Sequence, residues 1–223
     1  VGVQYTNANI ITTGSWNHWV MVYNGNGSGN SDKVKFYFNG ISQSLSFTGT
    51  IPATTDSNTA AFIIGAATAT AGNMDGVVDE VKVYNFALTS DQVKADMNLS
   101  SSASFGDVDD HSNEGFGGNA PVGWWMLDEN TGTSTVNDTS GLDNSLTMNN
   151  FEASDWVPGK YGSALDFDGS NEFLSRTDDA DFDFGAAESF TISAWIKHDT
   201  QTSGIDTIIS KYEQLFVAED GGY

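Results

Sequence analysis

The sequence predicts an all-β protein built as a two-sheet antiparallel sandwich. Three observations carry this. Short apolar runs with period-two alternation recur through most of the chain. Turn signals rich in Gly and Asn separate them. One stretch alone, near residue 90, carries a helix signature. At 223 residues, 39% of them hydrophobic and 12% aromatic, the chain suits one large all-β domain or two small ones.

The elements follow in order. Residues 16–23 (WNHWVMVY) form a near-continuous apolar run, and residues 24–30 (NGNGSGN) are a turn rich in residues that tolerate positive φ. Val34, Phe36 and Phe38 share one face of the next strand, and Asn39-Gly40 is a two-residue hairpin signal before residues 41–47. A loop with Pro52 leads to the short apolar strand 60–65. Residues 76–85 (GVVDEVKVYN) alternate, with Val77, Asp79, Val81 and Val83 on one side and Val78, Glu80, Lys82 and Tyr84 on the other. Asp79 therefore falls on the apolar side. A buried, unpaired carboxylate is costly, so Asp79 should have a cation, a metal or strong donors beside it, or else lie at a solvated strand end.

Thr89-Ser90-Asp91-Gln92 is a capping box, opening a short helix over residues 90–97 with Val93 and Met97 on one face. Residues 100–120 are Ser/Gly/Asp-rich and read as a linker. Asp107, Asp109 and Asp110 within it lack the order of an EF-hand loop. Residues 121–223 return to strands, at 123–127, 161–167, 190–197, 207–210 and 215–218. The expected organisation is thus 1–99, a linker at 100–120, and 121–223.

Thirty acidic residues against eight basic ones give a net charge of −22. That disfavours nucleic acid and anionic membranes as partners, because both want Lys/Arg patches. It suits solubility first and divalent-cation affinity second. The absence of cysteine removes disulfides and thiol chemistry. No apolar run reaches the ~18 residues of a membrane span. Val1 lies in strand-like sequence and the last residues read as a loop entering another strand. The expectation is a piece of a longer protein whose targeting signal lies elsewhere.

Both halves resemble the laminin-G-like, concanavalin A-like jelly-roll family of bacterial extracellular proteins. In the second half the resemblance rests on WWMLDE at 124–129, DTSG at 138–141, GSALDFDG at 162–169 and FTISAWI at 190–196. In the first half it rests on WNHWV at 16–20, FNG at 38–40, residues 76–85, and ALT at 87–89. The first half resembles the end of such a domain and the second half the beginning. The resemblance implies a tandem-repeat origin. It also implies a single, circularly permuted jelly roll in which the linker joins tail to head, since two half-sandwiches would each expose an apolar face.

What the family implies about chemistry is a structural calcium ion at one edge of the sandwich, held by loop carboxylates and carbonyls. Asp79 and Asp138 are the expected ligands, one from each half, with Asp168 and Asn144 as further candidates. Asp and Asn in such turns also commonly cap their own backbone. Magnesium fits less well, because it demands a tighter octahedron. His18 reads as a core histidine bonded to a neighbour. Related glucanases carry catalytic carboxylates as Glu-x-Asp-x-Glu on one strand. Residues 77–82 lack both flanking glutamates, and Asp179, Asp181 and Asp183 have no glutamate partner two residues to either side. The expectation is a non-catalytic, calcium-stabilised binding or adhesion module, extracellular or at the cell surface. Its ligand would be a carbohydrate or a surface protein, with Trp156, Tyr161 and Tyr212 as the aromatics for stacking. The other reading is a structural spacer repeat, and a weaker one an ancillary module of a glycoside hydrolase.

Overall fold

The computed structural model describes residues 2–5, 12–53, 59–99, 120–199, 205–211 and 215–220. Among them, antiparallel strands dominate. The larger sheet is built around β7 (Asp75–Tyr84) and β14 (Phe190–His198). Its order runs β11 (Trp156–Pro158), β12 (Ser163–Asp168), β7, β14, β2 (Asn17–Tyr23), β3 (Val34–Phe38), β4 (Ile41–Ser42). β8 (Gly123–Trp125) also pairs with β7. The second sheet runs β16 (Leu215–Asp220), β15 (Ile205–Lys211), β6 (Phe62–Ile64), β13 (Phe173–Arg176), β10 (Leu146–Asn149), β9 (Thr135–Val136). A small ribbon of β1 (Gly2–Tyr5) and β5 (Leu45–Thr48) lies beside them.

The core between the sheets takes the inward residues of both. Trp19, Met21, Val78, Val81, Leu165 and Ile192 come from the larger sheet, and Phe62, Ile64, Leu146, Leu174 and Ile209 from the smaller. Phe62 is the aromatic centre, stacked on Phe182 at 4.7 Å and on Trp125 at 5.5 Å. Such offset aromatic contacts add to area burial. The all-β sandwich expected from the alternating runs is the observed architecture.

Two α-helices are present among the described residues. The first, α1 (Asn30–Lys33), is a single turn at the end of the Gly/Asn-rich loop. The second, α2 (Ser90–Leu99), starts where the capping box predicts. The Thr89 N–H donates to Gln92 Oε1 at 2.9 Å, and the Gln92 N–H donates to Thr89 Oγ1 at 3.3 Å. α2 covers the outer face of the larger sheet. Val93 and Leu88 pack there with Val20, Val22, Tyr37 and Tyr84.

The segments before and after residues 100–119 interleave. β7 lies between β12 and β14, β2 pairs with β14, and β6 lies between β13 and β15. Each sheet is therefore a joint product of both halves. The linker expected at 100–120, with its Asp107, Asp109 and Asp110, lies outside the described residues apart from Ala120.

One sequence expectation fails inside β7. Residues 81 and 83 face the core together with Val78, not with Val77 and Asp79. The cause is a β-bulge. Ser193 pairs with Lys82 and Trp195 with Asp79, so β7 carries one residue more than β14 over that interval. Glu80 absorbs it at φ 52°. Strict alternation breaks there, and Asp79 turns to the outer face.

Candidate functional site

The bulge coincides with a change of neighbour along one edge of β7. β12 pairs with β7 from Asp75 to Val78, and β8 takes over from Val81 to Val83. Asp79 and Glu80 fall in the gap between the two partners. The loop joining β11 to β12, residues 159–162, enters this gap. Its fold depends on glycine at two places. Gly162 adopts φ 52°, and the Gly159 N–H donates to Gly162 O at 3.1 Å.

Asp79 is 0% exposed. Its Oδ2 accepts the Tyr161 N–H at 3.0 Å, while its Oδ1 is buried with no hydrogen-bond partner. Burial pushes the carboxyl up to about 8; the Tyr161 amide opposes this and the neighbouring Glu80 and Asp128 add to it. A methyl group added at Gly159 would lie 2.4 Å from Ser163 O, 2.6 Å from Tyr161 O and 2.7 Å from Asp79 Oδ2. Three oxygens thus crowd the Gly159 Cα on the side of Asp79, so that only glycine fits there. Asp128 stands close by, with Oδ1 accepting the Ser163 N–H at 2.7 Å. A mixed set of carboxylate and carbonyl oxygens is the donor chemistry calcium prefers. Asp79 and the carbonyls of Tyr161 and Ser163 are oxygens of that kind, three of the six to eight that calcium takes.

The wall of this space is aromatic. Trp195 pairs with Asp79 across β14. The Tyr161 ring meets it edge-on at 6.1 Å, and Lys160 Nζ lies 4.4 Å from its centroid. His18, the cross-strand partner of Trp195 on β2, meets its ring at a tilt of 50° with centroids 5.1 Å apart. Trp195 Nε1, His18 Nδ1 and Ser193 Oγ are buried without a protein partner, which marks this face as a place for ordered water.

Farther along the same face a second buried carboxylate, Asp96 of α2, is fully surrounded. Tyr84 Oη donates to its Oδ1 at 2.7 Å and Lys82 Nζ reaches the same oxygen at 3.2 Å. His18 Nε2 lies 3.2 Å from Oδ2. Burial raises the Asp96 carboxyl, but the Lys82 charge and the His18 and Tyr84 hydrogen bonds outweigh it, and the net shift is downward. Lys82 also lies 3.8 Å from Glu80 and over the Trp124 ring, and Trp124 Nε1 donates to Glu80 at 2.8 Å. His18 is thus the bonded core histidine expected from its strand. The Asp96 network was not legible. Its one signal is a carboxylate three residues after Val93, on the helix face that packs against the sheet.

The other expected ligands fall elsewhere. Asp138 is the hub of its own loop. Its Oδ1 accepts the Trp124 and Ser140 N–H groups, both at 2.9 Å, and its Oδ2 accepts Ser140 Oγ at 2.6 Å and the Asn144 N–H at 2.9 Å. Four donors satisfy it, and it shares no hydrogen-bond partner with Asp79. Asn144 is buried there, its Nδ2 donating to Val122 O and Asp181 Oδ2. Asp168 caps its own turn, accepting the Ser170 N–H at 2.8 Å, and its N–H donates to Glu172. Among the described residues, no group of three or more His, Cys, Asp or Glu side chains is placed to hold a metal ion.

The aromatic candidates separate in the same way. Trp156 is a core residue, 9% exposed, with Nε1 donating to Gly132 O at 2.8 Å, so it offers no ring face for stacking. Tyr161 is half-buried at the mouth of the Asp79 loop. Tyr212 lies outside the described residues. Sequence reasoning missed Asp128 and the Tyr161 and Ser163 carbonyls. The legible trace was the pair Gly159 and Gly162 bracketing Lys160-Tyr161.

Comparison with known families gives one match. Residues 2–94 match the family described as the concanavalin A-like lectin/glucanases superfamily. No curated protein and no solved structure matches the chain.

Proposed function

We propose that this chain, which belongs through residues 2–94 to the laminin-G-like, concanavalin A-like lectin/glucanase family, is a non-catalytic binding and adhesion module stabilised by calcium and working outside the cell. The observation that carries the reading is the buried, unpaired Asp79 Oδ1 in a neighbourhood of oxygens, with the Tyr161 and Ser163 carbonyls and Asp79 Oδ2 grouped around Gly159. Calcium there would hold Asp79 of β7 to the carbonyls of the 159–163 loop. The ion would keep the Asp79 carboxylate ionised at neutral pH, reversing the effect of burial. Because Asp79 and the loop belong to different halves of the chain, metal binding would add to the stability of the whole sandwich.

The ligand is read as a carbohydrate or a surface protein. Tyr161, half-buried beside Trp195 and Lys160, supports the carbohydrate side, because an aromatic face suits the C–H surface of a sugar ring. The non-catalytic reading is supported by the roles of the buried carboxylates. Asp96 is locked in an ion network, Asp138 organises a loop, and Asp79 faces carbonyl oxygens. No helix is long and apolar enough to cross a membrane among the described residues.

A thermal melt with calcium and with a chelator tests the metal. The midpoint should rise with calcium, and an unchanged midpoint would sink the site. A glycan array with calcium present tests the ligand. Absence of any signal at high protein concentration would leave the spacer reading in its place.

A further inference from the structure

We propose that Lys82 of β7 and Asp96 of α2 are the two halves of an internal amide crosslink, which forms after folding with loss of one water and ties the helix covalently to the sheet. The ground for this is where the pair sits. Lys82 Nζ lies 3.2 Å from Asp96 Oδ1, and the two residues are 2% and 0% exposed. Val81 and Val83 face the core, which puts Lys82 and Tyr84 on the outer face of β7. Asp96 lies three residues after Val93, on the side of α2 that packs against that face. The Trp124 ring covers the amine, its centroid 5.2 Å from Nζ. Glu80, held by Trp124 Nε1, flanks the amine from another side at 3.8 Å.

In water an ammonium and a carboxylate persist as solvated ions. Here both are buried, and keeping two ions out of water is costly. Forming the amide cancels both charges and releases water, so burial favours the product. The reacting groups are also in place. A lysine amine is a nucleophile once it loses its proton. Asp96 Oδ1 is positioned as the future carbonyl oxygen, and Tyr84 Oη donates to it at 2.7 Å, where a donor stabilises an oxyanion. Asp96 Oδ2 is the oxygen that leaves, and His18 Nε2 lies 3.2 Å from it. A carboxylate only accepts hydrogen bonds, so that nitrogen carries the proton it would give.

Atoms and charges balance within the pair. Lys82 passes one proton to Asp96, leaving an amine beside a neutral carboxyl. The amine nitrogen attacks the Asp96 carboxyl carbon, and the C–N bond forms. His18 Nε2 gives its proton to Oδ2 and takes one back from the nitrogen, and the C–Oδ2 bond breaks. The nitrogen keeps one of the three ammonium protons, and the other two leave with Oδ2 as water. No oxidant, metal or co-reactant takes part. Asp96 is ionised in the resting pair, so the neutral pair is a minor species and the bond forms slowly. It has to form only once in each chain, and lasting contact between the groups offsets slow chemistry. The sequence has no cysteine, and this tie needs none.

The test is the intact mass of the full chain, kept folded for several weeks at neutral pH and then denatured for mass spectrometry. Chelator is present throughout, so the outcome is independent of the calcium reading. The wild type should become lighter than its sequence by one water, in a share that grows with time. A tryptic digest should join the peptides carrying Lys82 and Asp96, which cleavage after Lys94 otherwise separates. Lys82→Arg keeps a positive charge beside Asp96 but cannot form this amide, and it should stay at full mass. Asp96→Asn should lose one ammonia instead of one water, which marks position 96 as the acyl donor. His18→Gln should slow the loss on the order of a hundredfold, and an unchanged rate would overturn the part given to His18. A folded wild type that keeps its full mass overturns the proposal. So does a water loss that survives Lys82→Arg, or one that maps to Asp75-Gly76 or Asp168-Gly169, where an aspartate can cyclise onto the next backbone nitrogen.

Discussion

Two carboxylates on the outer face of the larger sheet are both 0% exposed, and they are treated in opposite ways. Asp96 receives Tyr84, Lys82 and His18, and its carboxyl moves down. Asp79 receives only backbone amides, that of Tyr161 at 3.0 Å and that of Lys160 nearby, keeps one oxygen unpaired, and its carboxyl moves up to about 8. Burial is the same, so burial does not set the role. The number and charge of the donors do. Asp96 is complete within the protein and pins α2 to the sheet. Asp79 is incomplete within the protein, and a bound cation is what would complete it.

Breaking the complete member has the largest expected effect. Asp96→Ala strands Lys82 in a buried position and should cost about 3–5 kcal/mol by denaturant titration, equally with and without calcium. A loss that calcium repairs would erase the contrast between the two sites.

The incomplete member should respond to its ion. Calcium at a hundred times its dissociation constant should stabilise the wild type by about 2.7 kcal/mol, and Asp79→Asn should remove most of that gain. The same substitution should cost little in chelator, since an amide there can still accept the Tyr161 N–H. If the calcium gain survives Asp79→Asn, the ion binds elsewhere.

Asp138 sharpens the comparison as a carboxylate filled by neutral donors. Asp138→Ala should cost about 2 kcal/mol through the Trp124, Ser140 and Asn144 bonds. The calcium-dependent shift should stay at its wild-type size. A lost shift would restore Asp138 as a ligand.

The smallest effect concerns Glu172, which is 7% exposed and pushed up to about 7, chiefly by burial. Its folded value lies above its unfolded one. The stability it contributes is therefore fully present below about pH 4.5 and falls as pH rises to about 7. Glu172→Gln should flatten that decline by roughly 1 kcal/mol, read as stability against pH. An unchanged slope would place the decline on another group.

Much of the fold was legible because alternation and turn chemistry are local signals. The capping box of Thr89 and Gln92, the Asn39-Gly40 turn and the β2 and β14 runs all stand where the pattern puts them. The candidate site was legible only in part. Asp79 was visible as a carboxylate out of place, but a single bulged residue reversed the face it occupies. Its oxygen partners are backbone carbonyls, which leave no trace in side-chain identity. The role of Asp138 was not legible, because an Asx-type loop that satisfies its own carboxylate and a ligand loop share the same residues. Trp156 looked available because it stands beside Pro158-Gly159, yet its strand β11 turns the ring into the core.

The gap between β12 and β8 along the edge of β7 has a dynamic consequence. In a ladder paired on both sides, amide protons exchange with solvent only when the sheet opens as a whole. At residues 79–80 that edge is met by the 159–162 loop instead of a strand, and the loop's Tyr161 N–H bonds to Asp79 Oδ2. The Tyr161 amide should exchange faster than those of Val78 and Val81, which lie within ladders. An ion that locks the loop would slow that amide and leave the strand amides unchanged, a one-position gauge of occupancy beside the central strand.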